Sequence, residues 1–245
     1  MVQLQRIAIA PHQLQGQQVD LTAEQQHYLG RVLRLQRGDR FIIIDGKGGW
    51  WLTEWLDGPN GTVLEAIAAD TELPVSVTLC VALPKGGGFE EIVRGTTELG
   101  VTRFVPVLSD RTLLKPSPQK LTRWRRIATE AAELSERQIV PEIADPLPWG
   151  EALNSFDSQA DRYLCIARGD SPHLLTCLRA SQLDGATHLI LAIGPEGGWT
   201  PKEIEMAVNT GFQPVSLGSR ILRSVTAPVA ALSLVAAVWE TILSS

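Results

Sequence analysis

The sequence predicts an α/β protein in two parts: a small β-rich domain, then a larger domain of alternating strands and helices. Three observations carry this expectation. Up to about Asp70 the apolar runs are short and separated by glycine-rich turns, as in small β domains. From Val75 onward, strand-like apolar runs alternate with stretches of helical periodicity, the pattern of an α/β domain. Further on, the run His188-Leu-Ile-Leu-Ala-Ile193 leads through Gly194-Pro-Glu-Gly-Gly198 into a helix start. Open α/β folds bind ligands at such strand–turn–helix junctions.

Taken in order, Arg40–Asp45, Gly49–Glu54 and Gly61–Ala66 read as strands. One helix interrupts them, from Thr22 to Arg34, with Thr22 as N-cap and Gln25 at the capping-box position. A boundary at Thr71 to Pro74 gives domains 1–72 and 73–245. The second domain opens with strand Val75–Leu83, helix Phe89–Leu99 and strand Arg103–Leu108. A long helix from Pro118 to Arg137 sets Leu121, Trp124, Ala128 and Ala131 on one face. That stripe assigns Trp124 to the core rather than to base stacking. Strands Tyr163–Ala167 and Leu189–Ile193 follow. Thr200 then caps a helix with Pro201 at its first position and Glu203 at the capping-box position. A strand at Val215–Leu217 precedes a last helix, Pro228–Leu243, apolar nearly all round and suited to burial on more than one side. No internal repeat is evident.

Composition narrows the function classes. A formal net charge of −5 gives no global attraction to nucleic acid, so any polyanion must be held by local basic patches. Three cysteines without CxxC spacing point to reduced thiols and a cytoplasmic protein. The four histidines lie far apart, so no metal site is expected. No signal peptide is expected. The apolar segment from Ala227 to Trp239 is shorter than the ~20 residues that span a bilayer, which leaves no membrane partner.

The glycine-rich turn is neither a dinucleotide fingerprint nor a P-loop, and its glutamate is poorly suited to holding phosphate. A ligand with a cationic or uncharged head fits better. The residues alone leave two readings open: a ligand site, or a tight turn that needs glycine for its dihedrals. Lys85-Gly-Gly-Gly88 is similarly ambiguous between a phosphate-binding helix start and a plain flexible turn.

Ile193-Gly-Pro-Glu-Gly-Gly198 and Leu217-Gly-Ser-Arg-Ile-Leu-Arg-Ser-Val-Thr-Ala227 resemble the paired cofactor-loop motifs of SPOUT methyltransferases. The resemblance is to the bacterial small-subunit (16S) ribosomal RNA (uracil-N3)-methyltransferases. It continues in Glu98-Leu-Gly-Val101, Ser109-Asp-Arg111, Trp124-Arg-Arg-Ile-Ala-Thr-Glu-Ala-Ala132, and Arg137 with Val140-Pro-Glu-Ile143. In the first domain it includes Gly30-Arg-Val-Leu-Arg34 and Asp45-Gly46. The matches run over nearly the whole chain in the family's order. The resemblance implies a PUA-like β-barrel followed by an α/β domain with a deep trefoil knot, a rare topology. It implies S-adenosyl-L-methionine as cofactor, held largely by backbone groups. The implied binding residues are Ala167, Ile193, Gly194, Pro195, Glu196, Gly197, Gly198, Leu217, Gly218, Ile221, Leu222, Ser224, Thr226 and Ala227. It also implies a homodimer and 16S rRNA or the small ribosomal subunit as partner. The pattern differs in three places. Val225 stands where the family usually has glutamate, Ser219 where it has proline, and Arg94-Gly95 where it has Gln-Lys.

Methylating uridine at N3 requires loss of an imide proton and stabilisation of the resulting anion. No Cys–His pair or paired carboxylates stand out, so no general base is assigned. Arg220 and Arg223 are the expected catalytic residues, acting electrostatically on the developing uridinate; the competing reading pairs one of them with a carboxylate such as Glu196. Arg6, Arg31 and Arg34 are the expected RNA-binding residues. Arg31, Arg34 and Arg37 follow an i, i+3, i+6 spacing along a helix or its end, and Arg40 lies nearby. The competing reading is a solvated face balanced by Glu24 and Asp39. Lys120, Arg123, Arg125 and Arg126 form a second basic cluster. Two other functions remain compatible: a SPOUT methyltransferase acting on another RNA, and a non-catalytic RNA-binding assembly factor, for which Val225 is the only hint.

Overall fold

A computed structural model describes residues 4–56, 58–112, 116–157 and 159–241. The chain divides into two compact units, 1–72 with 132–140, and 73–131 with 141–245.

The first unit is built on a six-stranded sheet. Its strands are β1 (Arg6–Ala8), β2 (Leu14–Gln15), β3 (Gln18–Asp20), β4 (Arg40–Ile44), β5 (Trp50–Trp55) and β6 (Asn60–Ala66). The order is β1-β4-β5-β6-β3-β2, a curled half-barrel whose ends do not pair. Alternation places Phe41, Ile43, Trp55 and Val63 in a core with Ile7, Val19 and Leu29. Between β3 and β4 lies α1 (Ala23–His27), started by Thr22, whose hydroxyl accepts from the Gln25 N–H while Gln25 Oε1 accepts from the Thr22 N–H at 2.8 Å. A π-helical turn over Tyr28–Val32 continues it.

The helix expected to reach Arg34 therefore stops at Val32. Arg34 has φ 58° and the Leu35 N–H bonds back to the Leu29 carbonyl, a left-handed C-terminal cap formed without glycine. Arg31 and Arg34 consequently do not share one helical face.

Residues 132–140 group with the first unit through polar contacts. Glu136 pairs with Arg6 at 2.7 Å. Glu72 accepts from the buried Arg137 guanidinium and from the Gln138 and Ile139 N–H groups at 2.8 and 3.0 Å. The long helix expected to end at Arg137 ends at Leu134, and Glu136 has φ 62°.

The second unit comprises β7 (Ser76–Ala82), α2 (Gly88–Glu98), β8 (Arg103–Leu108), α3 (Pro118–Leu134), β9 (Glu142–Ile143), β10 (Leu147–Pro148), α4 (Trp149–Asn154), β11 (Asp161–Cys165), α5 (Leu174–Leu183), β12 (His188–Ile193), α6 (Pro201–Asn209), β13 (Gln213–Val215) and α7 (Thr226–Glu240). Its strands pair in parallel in the order β10-β8-β7-β12-β11-β13, with β9 beside β8. Both sheet faces are covered, which explains the unbroken apolar strands. Val77, Leu79 and Val81 of β7 face one core with Leu189, Leu191 and Ile193 of β12. Cys80, Ala82, Ile190 and Ala192 face the other with Trp149, Trp199 and Phe212. Trp124 is buried against Phe89, ring centroids 4.4 Å apart, in keeping with the core reading.

β11 and β13 run over Asp161–Cys165 and Gln213–Val215, each slightly earlier than the sequence suggested, which leaves Ala167 and Leu217 in the loops beyond the strand ends. The expected end of the last helix, Leu243, lies outside the described residues. No helix among the described residues is long and apolar enough to cross a membrane.

Candidate active site

Parallel strands end on one side of a sheet, so the loops that follow them converge there. In the second unit, the loops after β11, β12 and β13, with one side chain from the loop after β8, enclose a cavity of about 980 Å³. Ala167, Ile193, Gly194, Pro195, Glu196, Gly197, Gly198, Leu217, Gly218, Ile221, Leu222, Ser224 and Ala227 line it, together with Arg220 and Arg223. Thr226 does not. It is the first residue of α7, its N–H donating to the Arg223 carbonyl at 3.0 Å.

The two readings of the glycine-rich turn prove compatible. Gly198 has φ 70° and its N–H donates to the Pro195 carbonyl at 2.8 Å, so this position needs glycine for its dihedrals. At Gly194 and Gly197 the constraint is space rather than dihedral angle, tighter at Gly194 because its neighbour is a ring and that of Gly197 a flexible stem. A Cβ on Gly194 would lie 3.1 Å from the Trp199 indole nitrogen, and one on Gly197 would lie 3.0 Å from Arg111 Cδ. Pro201 and the reciprocal Thr200–Glu203 capping box start α6 directly behind the turn, as the sequence indicated.

Sequence reasoning missed Arg111, Cys165, Ile166, Arg168, Trp199, Ile204 and Val225 as lining residues. Cys165 to Arg168 follow a strand end as the other two loops do, and that symmetry was the available signal. Arg111 closes the Ser109-Asp-Arg111 match and donates from its guanidinium to the Gly197 carbonyl. Val225 faces the loop before α2, where a Cβ on Gly88 would meet its Cγ1 at 2.9 Å.

Among the described residues, four arginines (Arg111, Arg168, Arg220 and Arg223) therefore border the cavity against a single carboxylate, Glu196. Glu196 Oε1 accepts from the Lys85 backbone N–H at 3.0 Å, which ties the Lys85–Gly88 loop to the glycine turn. Among the described residues neither Arg220 nor Arg223 pairs with a carboxylate, so the Glu196 pairing is not formed. Burial pushes the Cys165 thiol up to about 12, making it a neutral wall rather than a nucleophile at neutral pH.

The basic residues of the first unit separate. Arg31 and Arg37 border a second cleft of about 530 Å³ with Gln26, His27, Gln36 and Trp55. Arg34 is exposed outside that cleft. Arg6 is set apart from them: its side chain is only 11% exposed, paired with Glu136 and set 5.1 Å over the Trp50 ring.

The RNA methyltransferase domain family matches residues 71–236, and the RNA methyltransferase PUA domain family matches residues 21–57. The chain belongs to the RNA methyltransferase family. It is 52% identical over 239 residues to Ribosomal RNA small subunit methyltransferase E of Synechocystis sp., covering 96% of this chain and 78% of that protein. A protein of the same name from Bacillus subtilis is 31% identical over 223 residues, 87% of each chain. The crystal structure of Ribosomal RNA small subunit methyltransferase E from Neisseria gonorrhoeae bound to S-adenosyl methionine superposes with a TM-score of 0.84 at 29% identity, covering 97% of this chain and 98% of that one. This RNA methyltransferase thus has the SPOUT-type α/β fold preceded by a PUA-like domain that the motif resemblance implied.

Proposed function

We propose that this RNA methyltransferase transfers the methyl group of S-adenosyl-L-methionine to N3 of one uridine in small-subunit (16S) ribosomal RNA. What supports the reading most is the three-loop cavity at the carboxyl end of the parallel sheet, in a chain whose Neisseria gonorrhoeae neighbour is described as bound to S-adenosyl methionine. The residues present fit that cofactor. The cavity is of the size that takes a cofactor-sized ligand, and side chains at Gly194 and Gly197 would crowd its wall. Trp199 Nε1 is buried at the lining with no hydrogen-bond partner among the described residues, leaving a donor for a ligand acceptor.

Ile193–Gly198 and Leu217–Ala227, with Ala167, would hold the cofactor through backbone groups and apolar walls. When bound, the cofactor supplies an electrophilic methyl group. The chain's own part is then to orient the uracil edge toward it and to stabilise negative charge as the N3 proton leaves. Arg220 and Arg223, exposed at the rim and without carboxylate partners, are the residues proposed for that charge. Residues 1–72 would serve as the PUA-like RNA-holding domain through Arg31 and Arg34, and residues 73–245 as the methyltransferase domain. The enzyme would act in the cytoplasm as a homodimer, with α7 contributing to the interface; a concentration-independent monomer mass in sedimentation would remove the dimer. Nucleoside mass spectrometry of small-subunit RNA from a strain lacking the gene tests the activity. Loss of N3-methyluridine is expected, and an unchanged level with loss of another methylated nucleoside would overturn the assignment.

A further inference from the structure

The Ser109-Asp-Arg111 motif contributes only Arg111 to the cavity wall, yet its loop carries a connected set of polar contacts. Glu203 is a carboxylate only 3% exposed, with no cationic partner among the described residues. One oxygen accepts from the Asp110 N–H at 2.9 Å. The other accepts from the Thr200 N–H at 2.8 Å and lies 3.0 Å from the Thr200 hydroxyl. That hydroxyl also approaches Asp110 Oδ2 at 3.4 Å. Within the loop, Ser109 and Thr112 close on each other, the Ser109 N–H donating to Thr112 Oγ1 at 3.1 Å.

A capping box requires only one of these contacts, the bond from Glu203 back to Thr200. The second oxygen reaches a different loop, 93 residues away in sequence. The loop after β8 is thus pinned at the start of α6, and its next residue, Arg111, extends to the Gly197 carbonyl, its Cδ 3.0 Å from where a Gly197 Cβ would stand. Glu203 itself is held from below, because its own carbonyl accepts from the Trp149 indole N–H at 3.1 Å.

We infer that Glu203 and Arg111 are positioning residues for the cofactor: Glu203 fixes the base of a strap formed by Ser109–Thr112, and Arg111 fastens that strap onto the Gly194–Gly198 turn. Arg111 acts on the bound molecule through Gly197 and not by contact with the reacting atoms. A guanidinium suits this because it makes a charge-assisted bond to a carbonyl while its stem covers the bare glycine. The inference rests on S-adenosyl-L-methionine occupying the cavity.

The test is calorimetric titration of S-adenosyl-L-methionine into the full chain and its variants, alongside methylation kinetics. Wild-type binding is the first control; its absence would sink the cofactor assignment itself. Given binding, Arg111→Ala should weaken affinity about five- to tenfold, as expected for one charge-assisted hydrogen bond at an exposed site. The loss should appear in cofactor KM more than in kcat. Arg111→Lys, which keeps a cationic donor, should recover most of the affinity. Glu203→Gln replaces one accepting oxygen by an amide that faces an N–H donor, and should weaken binding in the same way. Because both substitutions release one strap, the double variant should be no worse than the worse single one. Unchanged affinity in a folded Arg111→Ala protein, no recovery with lysine, or fully additive losses would each overturn the inference. If Glu203→Gln does not fold, the alanine and lysine pair at Arg111 decides alone.

Discussion

A single methyl group on Gly194 should damage both stability and cofactor binding, and the structure says why it cannot be accommodated. The added Cβ would lie 3.1 to 3.3 Å from three atoms of the Trp199 indole, so one partner must move by a few tenths of an ångström. Trp199 is poorly placed to do so. It stacks on Trp149 at 4.5 Å with ring planes 24° apart, and Trp149 is tied to the Glu203 carbonyl. The strain should instead displace the Gly194–Gly198 backbone toward the cavity. Overpacking of this kind costs about 1–3 kcal/mol. The share that is relieved only by closing the cavity weakens binding, and 1.4 kcal/mol of it would mean about tenfold. Urea unfolding measures the first effect and calorimetry with S-adenosyl-L-methionine the second. Gly197→Val provides a graded comparison, since its new Cβ meets the flexible Arg111 stem, while the valine branches should abolish binding. Wild-type stability and affinity in Gly194→Ala would refute the claim that this position is glycine for lack of space.

The other expectations concern distinct parts of the chain. Glu72→Ala strips the buried Arg137 guanidinium of its carboxylate and should cost about 3 kcal/mol in urea unfolding; a variant as stable as wild type would show that other contacts hold residues 132–140 in the first unit. An Arg31→Ala, Arg34→Ala double variant should keep its cofactor affinity but lose RNA affinity, with a shallower salt slope in a filter-binding series. A wild-type slope would leave those residues as a solvated face. Burial, partly offset by Asp157 and reinforced by Arg103, holds the His188 imidazole below its ordinary value of 6.5, so the unfolded chain binds its proton more readily than the folded one. The stability associated with neutral His188 is therefore present above that value and is lost as pH falls below it. Unfolding free energies between about pH 7 and pH 5 should fall less steeply in His188→Gln than in wild type.

How far the sequence could be read depended on whether one local rule governed each element. β7 and β12 were legible because burial on both faces leaves a continuous apolar run bounded by turns. The α6 start was legible because Thr200, Pro201 and Glu203 each obey the same capping chemistry. β1, β2 and β3 were not, since two- or three-residue strands are too short to show alternation and owe their form to their neighbours in the sheet. α5 begins on His173, whose ring nitrogen caps the Leu175 N–H at 3.1 Å, a role more common for Ser, Thr, Asp or Asn. At the site, the backbone-lined loops could be seen in motif form. The side chains that arrive from elsewhere could not, because Arg111 reaches Gly197 across 86 residues and only the folded sheet brings them together.

If the proposed target is uridine N3, the charge pattern of the cavity bears on how its proton leaves. Among the described residues four arginines border it, and the one carboxylate there, Glu196, is occupied at the Lys85 amide. Val225, where the motif resemblance leads one to expect glutamate, instead lies against Gly88, so that position offers no proton acceptor and no counterion to Arg223. A site so arranged is poor at accepting a proton and good at favouring an anion. With cations fixed at the rim, a uracil edge placed there would have its N3 acidity raised by the surrounding field, and the proton could leave to solvent rather than to a side chain. Val225 then shifts the chemistry further toward electrostatic stabilisation, because an acidic residue beside Arg223 would neutralise part of the field. On this reasoning Val225 is a change in the balance of charge at a working site, and not the mark of a dead enzyme.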